Sequence, residues 1–599
     1  MKNIIFIAFV FYIIFVFACH NSKNLNETFH ENNNIFFNLD FEFVNRLNIP
    51  RNWNVGGKGY EILIDSSVSY SGRKSLAISQ ISIGKFGVAT STFPIEAARG
   101  KHIIFSGYIK TEDINNGYAG LWWRVDGAEG ILAFDNMHDR GPSGTTEWTQ
   151  YDIEIVVSEE AKNINFGVLL SGDGTAWFDN LSIAVNGEAY EQTIPKPYMP
   201  SNEELRWLKE NIIALETAEP DSNLNDLTPL KSLLGDAEII SLGEGTHGTS
   251  EFFKMKHRIV RYLAEEFGDV VFAIEANMPE ARRVNDYVLF GKGNPKEAIA
   301  GMYFWTWNTQ EVLDMIKWMR NYNVLGRGKI EFWGFDMQYP NVAIDNVTDF
   351  IMKTDITYSD SLRLLYNIVS ASSEEMKRLF PDKRKGKAGR WYNAAFQVFN
   401  HLLTNRSNYL KSYDTLTVEQ IIQDSRIVVQ GAEIYVEGKR SRDECMAANV
   451  EWVREHIAKK NKLVLWAHNG HVSKLRHRMG DYLNQKYGGE MIVFGFAFYT
   501  GRYTAVGDNG LGIYSTSLPE PGSIEQILHN TAIEEMLIDL RNANNSHKTD
   551  WLSKKLEFRS IGAKAMDYAF YPTVITNEFD VLIYFDKTTP SKLLDKRVK

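Results

Sequence analysis

The segment Ala237–Asn277, AEIISLGEGTHGTSEFFKMKHRIVRYLAEEFGDVVFAIEAN, places a carboxylate and an imidazole three residues apart in a glycine-rich turn. Glu244 and His247 follow a short apolar run that reads as a buried strand; an amphipathic helix and a second strand ending on Glu275 come after them. Gly243, Gly245 and Gly248 match the G-x-G-x-x-G spacing of dinucleotide-binding turns, with Glu275 placed like a ribose-binding acid. A turn that cradles pyrophosphate presents backbone N–H groups to an anion, and the Glu244 carboxylate would repel it. A carboxylate beside an imidazole suits proton transfer better, with the glycines letting the backbone turn sharply beneath both.

More ionisable side chains stand at the ends of predicted strands. Candidate strands are Ala237–Leu242, Val270–Glu275, Ile330–Phe335, Lys462–Ala467, Met491–Phe498 and Val581–Phe585. The third, IEFWGFD, runs into Asp336, and the fourth, KLVLWAHNGH, runs into His468 and His471. A lone acid at such a place is usually a helix cap or turn former. Ligands of open α/β sheets collect at the carboxyl ends of strands, so these ends together imply one cleft. In the first helix Phe252, Ile259, Leu263 and Phe267 form an apolar stripe, and Lys256 falls inside it. Lys254, Arg258 and Arg261 read as the charged face. A cation on the inward face must snorkel or meet an acid, here Glu275 or Glu244.

The elements that carry these residues read as an α/β domain over 202–599, with a helical insertion at about 345–440 and a solvated basic patch at Lys383–Lys387. Before it, 35–187 is all-β in texture, with aromatic and β-branched runs such as KHIIFSGYIKT and AWFDNLSI between Gly, Asp and Asn turns. A Pro-containing linker spans 188–201. At 599 residues the chain exceeds one core, and a net charge of −10 gives no nucleic-acid footprint. No GxSxG, HExxH, CxxC or Walker A pattern occurs, which demotes serine-hydrolase, zincin and P-loop readings.

The first 19 residues read as a signal peptide, with Lys2 before the apolar run Ile4–Ala18. That run is shorter than the roughly 20 residues that span a bilayer. Ala18-Cys19 resembles a bacterial lipoprotein cleavage box, with Cys19 lipidated and 20–34 as a polar tether, which implies an exported, membrane-anchored protein. Cys445 is then the only other cysteine, a small buried residue.

The β segment resembles jelly-roll modules of the carbohydrate-binding, galactose-binding-like type. That resemblance implies a glycan ligand, with Trp122, Trp123, Trp148 or Trp177 stacking on sugar rings, and a structural calcium at Asn38, Glu42 and Asp179. The α/β domain resembles the erythromycin esterase family through GEGTHGTSEFFKMKHR, VFAIEA, WTWNTQEVLDMIKWMRNYN, EFWGFDMQ, SRDECMAANV, VLWAHNGHV, FGFAFYTGRY and FDVLIYFDKTTPS, in the family's order. This implies hydrolysis of a carboxylic ester or lactone without a serine nucleophile or required cofactor. By matching motifs His247 is the general base, Glu244 orients it and Glu275 holds the polar network. His468 and His471 stabilise the oxyanion or protonate the leaving alkoxide, and Lys256 and Asp336 are assigned to substrate binding. Lys256 stands where an Arg is common in the family; it keeps the charge but lacks the planar fork that makes bidentate contacts. Two alternatives stay open: a zinc site built from Glu244, His247, Glu275, His468 and His471, and a non-enzymatic glycan-binding surface lipoprotein.

Overall fold

The structure, a computed structural model, describes residues 36–594 apart from 45–47, 129, 192–196, 380–383, 385, 508–509, 543–546 and 567–568. Cys19, the signal peptide and the tether lie outside the described residues, as do Lys383 and Lys385 of the basic patch. Among the described residues no helix is long and apolar enough to cross a membrane. The chain divides into two compact units, Met1–Pro195 and Lys196–Lys599.

The first unit is a sandwich of two antiparallel sheets. One joins Asn54–Gly56, Phe86–Thr92, Asn163–Ser171, Tyr118–Asp126 and Ile131–Asp135 in that order. The other joins Tyr60–Asp65, Ser75–Gln80, Thr175–Val185, His102–Ile114 and Gly144–Val156. Alternation along each strand turns one set of side chains inward. Trp123 belongs to that set: it is fully buried and stacks on Phe166 with ring centroids 5.3 Å apart. Trp177 is also buried, its Nε1 donating to Asp65 Oδ2 at 2.9 Å. Trp122 and Trp148 are half-buried, so of the four expected sugar-stacking rings only these two have accessible faces.

The expected calcium ligands are engaged with backbone. Asn38 is fully buried, and its amide donates to Phe43 O and accepts from Phe43 N. Glu42 Oε1 accepts from Lys74 N at 3.1 Å, and Asp179 Oδ2 accepts from Tyr70 N and Ser71 N at 2.7 and 2.8 Å. The two acids thus converge on one turn and hold it through N–H donors, whereas Asn38 braces its own loop.

The second unit is built on a nine-stranded sheet. Its strands are β1 (Ile212–Ala214), β2 (Ile239–Leu242), β3 (Val270–Asn277), β4 (Ile330–Asp336), β5 (Lys462–Trp466), β6 (Met491–Gly507), β7 (Gly510–Ser515), β8 (Glu535–Asp539) and β9 (Val581–Thr588). The order is β1-β8-β9-β6-β2-β5-β3-β4, with β7 paired to the extension of β6. The six strands read from sequence pair parallel, and β1, β7 and β8 add antiparallel pairs. Those three are short or peripheral, with no continuous apolar run to announce them.

Both faces of the parallel strands are buried, so their side chains divide between two cores. Val270, Phe272 and Ile274 pack with α1 (Ser250–Phe267), α2 (Met278–Phe290) and α3 (Gln310–Val324). Val271, Ala273, Trp333 and Phe335 pack beneath α4 (Asn341–Thr354), α5 (Ser359–Arg378), α6 (Gly389–Tyr409), α7 (Thr415–Glu433) and α8 (Arg442–Val453). The helical insertion therefore forms the covering layer of one sheet face, because Trp333 and Phe335 would otherwise face water. In α1, Arg258 departs from the expected charged face: it is fully buried and pairs with Asp226 at 2.7 Å.

Replacing Trp123 with Ala should lower the stability of the sandwich by about 3–5 kcal/mol, as for other buried aromatics. Urea unfolding of the variant checks this.

Candidate functional site

The turn that carries Glu244 and His247 leaves β2 at Leu242 and is pressed between two neighbouring segments. A Cβ on Gly243 would lie 2.2 Å from Asn469 Oδ1, and one on Gly248 would lie 1.9 Å from the Thr504 carbonyl oxygen. None of Gly243, Gly245 and Gly248 is among the residues with left-handed φ. Close approach of other backbone, rather than a special turn angle, is what requires glycine here. Asn469 locks the turn in place: its backbone N–H donates to Glu244 O, and its side chain pairs with both backbone groups of Phe496.

Glu244 is fully buried and shared by three donors. His247 Nδ1 lies 2.6 Å from its Oε1, while Lys256 Nζ and Trp466 Nε1 each donate to its Oε2 at 2.6 Å. Burial pushes the Glu244 pKa up, but the Lys256 charge and then His247 outweigh it, so the net shift is downward. Burial lowers Lys256 to about 8 against the pull of Glu244, so the ammonium is still charged at neutral pH. Its Nζ also lies 4.2 Å from the Trp466 ring centroid, a cation–π contact. An ionised Glu244 fixes the proton of His247 on Nδ1. The opposite nitrogen, Nε2, has no protein partner among the described residues, and the side chain is 12% exposed.

A second cluster sits beside the first. Glu275, on β3, accepts from His468 N through Oε2 at 3.0 Å and from Arg442 Nη2 through Oε1 at 2.8 Å. Burial raises its pKa, yet the charges of His471 and Arg442 overcome this and hold the carboxyl well below the usual range. Asp336, at the end of β4, is fully buried and takes Arg442 Nε at 3.2 Å and Nη2 at 2.8 Å. His471 places Nδ1 2.8 Å from Asp443 Oδ1 and Nε2 3.0 Å from Arg442 Nη1. Trp307 ties the clusters together, donating to Glu275 O at 3.0 Å with its ring centroid 6.0 Å from that of His247.

His468 lies between them, its ring centroid 5.0 Å from that of His247. Nε2 is 3.0 Å from Ile561 O and Nδ1 accepts from Gly470 N at 3.1 Å, so the ring is neutral and both nitrogens are committed to backbone. Burial and then the charges of His247 and His471 lower its pKa to about 3.

All five residues expected at the reaction centre, Glu244, His247, Glu275, His468 and His471, thus meet at one place. Three expected roles change. Lys256 and Asp336 cannot touch substrate, because each is fully buried with its charge spent on Glu244 or Arg442. His468 has no ring nitrogen left to donate to an oxyanion or a leaving group. Arg442 and Asp443 were not singled out in the sequence, although a signal exists. Arg442 opens α8 directly after the Ser441 cap, and a cation at a helix N-terminus opposes the helix dipole unless acids hold it.

Among the described residues no group of three or more His, Cys, Asp or Glu side chains is arranged to hold a metal ion. Lys256 and Arg442 occupy the carboxylate oxygens that a zinc ion would need, so the donor set does not fit one.

Residues 264–588, more than half of the chain, match the family model described as erythromycin esterase. Erythromycin esterase type II of Escherichia coli is 23% identical over 427 residues, covering 65% of this chain and 98% of that protein. The Bacillus subtilis protein YbfO, provisionally named a hydrolase, is 22% identical over 433 residues, covering 65% of this chain and 92% of its own. A Bacillus cereus protein of known crystal structure is 27% identical with a TM-score of 0.59, over 66% of this chain and 100% of that one.

Two variants test this geometry. In Lys256→Met the charge that lowers the Glu244 pKa is gone, so Glu244 protonates at higher pH and the acidic limb of kcat/KM should move upward. Breaking the buried pair should also cost about 3–5 kcal/mol of stability, read by denaturant unfolding. Gly248→Ala should lose about 1–3 kcal/mol in the same experiment, because the Thr504 carbonyl cannot move aside.

Proposed function

The chain belongs to the erythromycin esterase family, and on that premise we propose that it hydrolyses a carboxylic ester with water activated by His247. The observation that carries this reading is the asymmetry of the His247 ring: Nδ1 is fixed on Glu244 at 2.6 Å and Nε2 is left without a protein partner among the described residues. Nε2 takes a proton from water while the oxygen adds to the ester carbonyl, forming a tetrahedral oxyanion. Glu244 stabilises the imidazolium that results, as a buried carboxylate does in other His-based hydrolases. Collapse of the intermediate breaks the C–O bond, and His247 Nε2–H passes the proton to the departing alkoxide. Acid and alcohol leave with the ring restored to its starting form.

The substrate is a small ester, a macrolide lactone or an acyl ester on a glycan. A carbohydrate-binding role for the sandwich would place such a substrate near the enzyme, with Trp122 and Trp148 as the rings that have accessible faces. The apolar leader and the Ala18-Cys19 pair support export and a lipid anchor at Cys19.

Against p-nitrophenyl esters, acylated sugars and macrolides, His247→Ala should lower kcat/KM on the accepted substrate by about 10²–10⁴-fold. Full activity in a folded His247→Ala protein would remove the general base from the scheme.

A further inference from the structure

Hydrolysis needs a donor for the oxyanion, and both histidines expected to supply it are otherwise engaged. His468 has both ring nitrogens on backbone. His471 faces Asp443 through Nδ1 at 2.8 Å and Arg442 Nη1 through Nε2 at 3.0 Å. A guanidinium keeps its protons at any working pH, so the second contact requires a lone pair on Nε2. The hydrogen bond from Arg442 thus belongs to the neutral form of His471, which donates from Nδ1 to Asp443, while Nε2 also lies 3.5 Å from Glu275 Oε1, a contact that favours the charged form. Burial lowers its pKa, Glu275 and Asp443 raise it more, and the Arg442 charge again works against protonation.

The hydrogen-bond count of Arg442 points elsewhere. A guanidinium has five N–H groups. Nε–H goes to Asp336 Oδ1 at 3.2 Å, and the Nη2 pair goes to Asp336 Oδ2 and Glu275 Oε1, both at 2.8 Å. Nη1 gives one N–H to His471. Its other N–H has no partner among the described residues, and the side chain is 26% exposed. Two carboxylates and an imidazole thus clamp the cation on three sides. Glu275 and His468 link it to the proposed base: Glu275 accepts the His468 N–H, and the His468 ring lies 5.0 Å from that of His247.

We propose that Arg442 is a catalytic residue, its free Nη1–H meeting the oxyanion formed when water adds to the ester. His471 and Asp443 are then positioning residues that aim the guanidinium. This inference rests on the hydrolase reading above. In the step itself, the carbonyl π pair moves onto oxygen as the new C–O bond forms. Arg442 donates a hydrogen bond to that oxygen without giving up a proton, and His247 carries the only proton that moves.

The test compares two esters of one acid, with p-nitrophenol and with a simple alcohol as leaving group. An oxyanion donor serves both equally, whereas a general acid matters only for the poor leaving group. Arg442→Lys keeps a charge between Glu275 and Asp336 and should lower kcat by about 10²–10³-fold on both esters, with KM little changed. His471→Leu, which removes the acceptor that aims Nη1, should lower kcat by the same factor on both. Undiminished kcat in Arg442→Lys would overturn the proposal. So would a His471→Leu loss confined to the alkyl ester, and that outcome decides the matter even if Arg442→Lys does not fold. If the unmodified protein cleaves neither ester nor any in the wider panel, the hydrolase reading fails instead.

Discussion

Glu244 is a carboxylate with no exposure to solvent that must stay ionised to hold His247 in one tautomer, and much of the second unit serves that requirement. An isolated buried carboxylate takes up a proton instead of paying the desolvation cost. Lys256 prevents this from inside the apolar stripe of α1, and Trp466 donates from the end of β5. The ammonium is itself buried and lies over the Trp466 ring, so three elements must close together before any one charge is tolerable. Rigid orientation of His247 follows from this closure and not from the turn alone.

The same logic recurs in the neighbouring cluster with the signs exchanged. There one cation, Arg442, is held by Glu275 and Asp336. Both acids lie at the carboxyl ends of adjacent strands, where parallel packing would otherwise leave two negative charges facing each other. Arg442 suits this place because its planar fork can satisfy two carboxylates and still reach His471, which a point charge cannot do. The capping box at Ser441 and Glu444 fixes the start of α8, so the guanidinium arrives on a rigid helix.

Sheet order explains why these groups collect at one place. The chain makes β2, β3, β4 and β5 in succession, but β5 returns to lie between β2 and β3. His468 is thereby brought between Glu244 and Glu275. The chain then crosses to the other side of β2 to form β6, and such a reversal of strand order is where open α/β sheets bind their ligands.

Local periodicity and residue type by themselves determined the six parallel strands, the inward position of Lys256 and the convergence of acids and histidines on the strand ends. Each of these follows from the pleat, the helical repeat or the rule of strand ends, all of which act within a short stretch of chain. Only the tertiary structure decided that Lys256 belongs to Glu244 and not Glu275, and that His468 faces backbone. It also decided that Arg442 and Asp443 enter the site at all. Those outcomes depend on which hydrogen-bond donors come within about 3 Å of each lone pair. Such distances are set by packing between segments far apart in sequence, as with Arg442 and Glu275, and no local pattern encodes them.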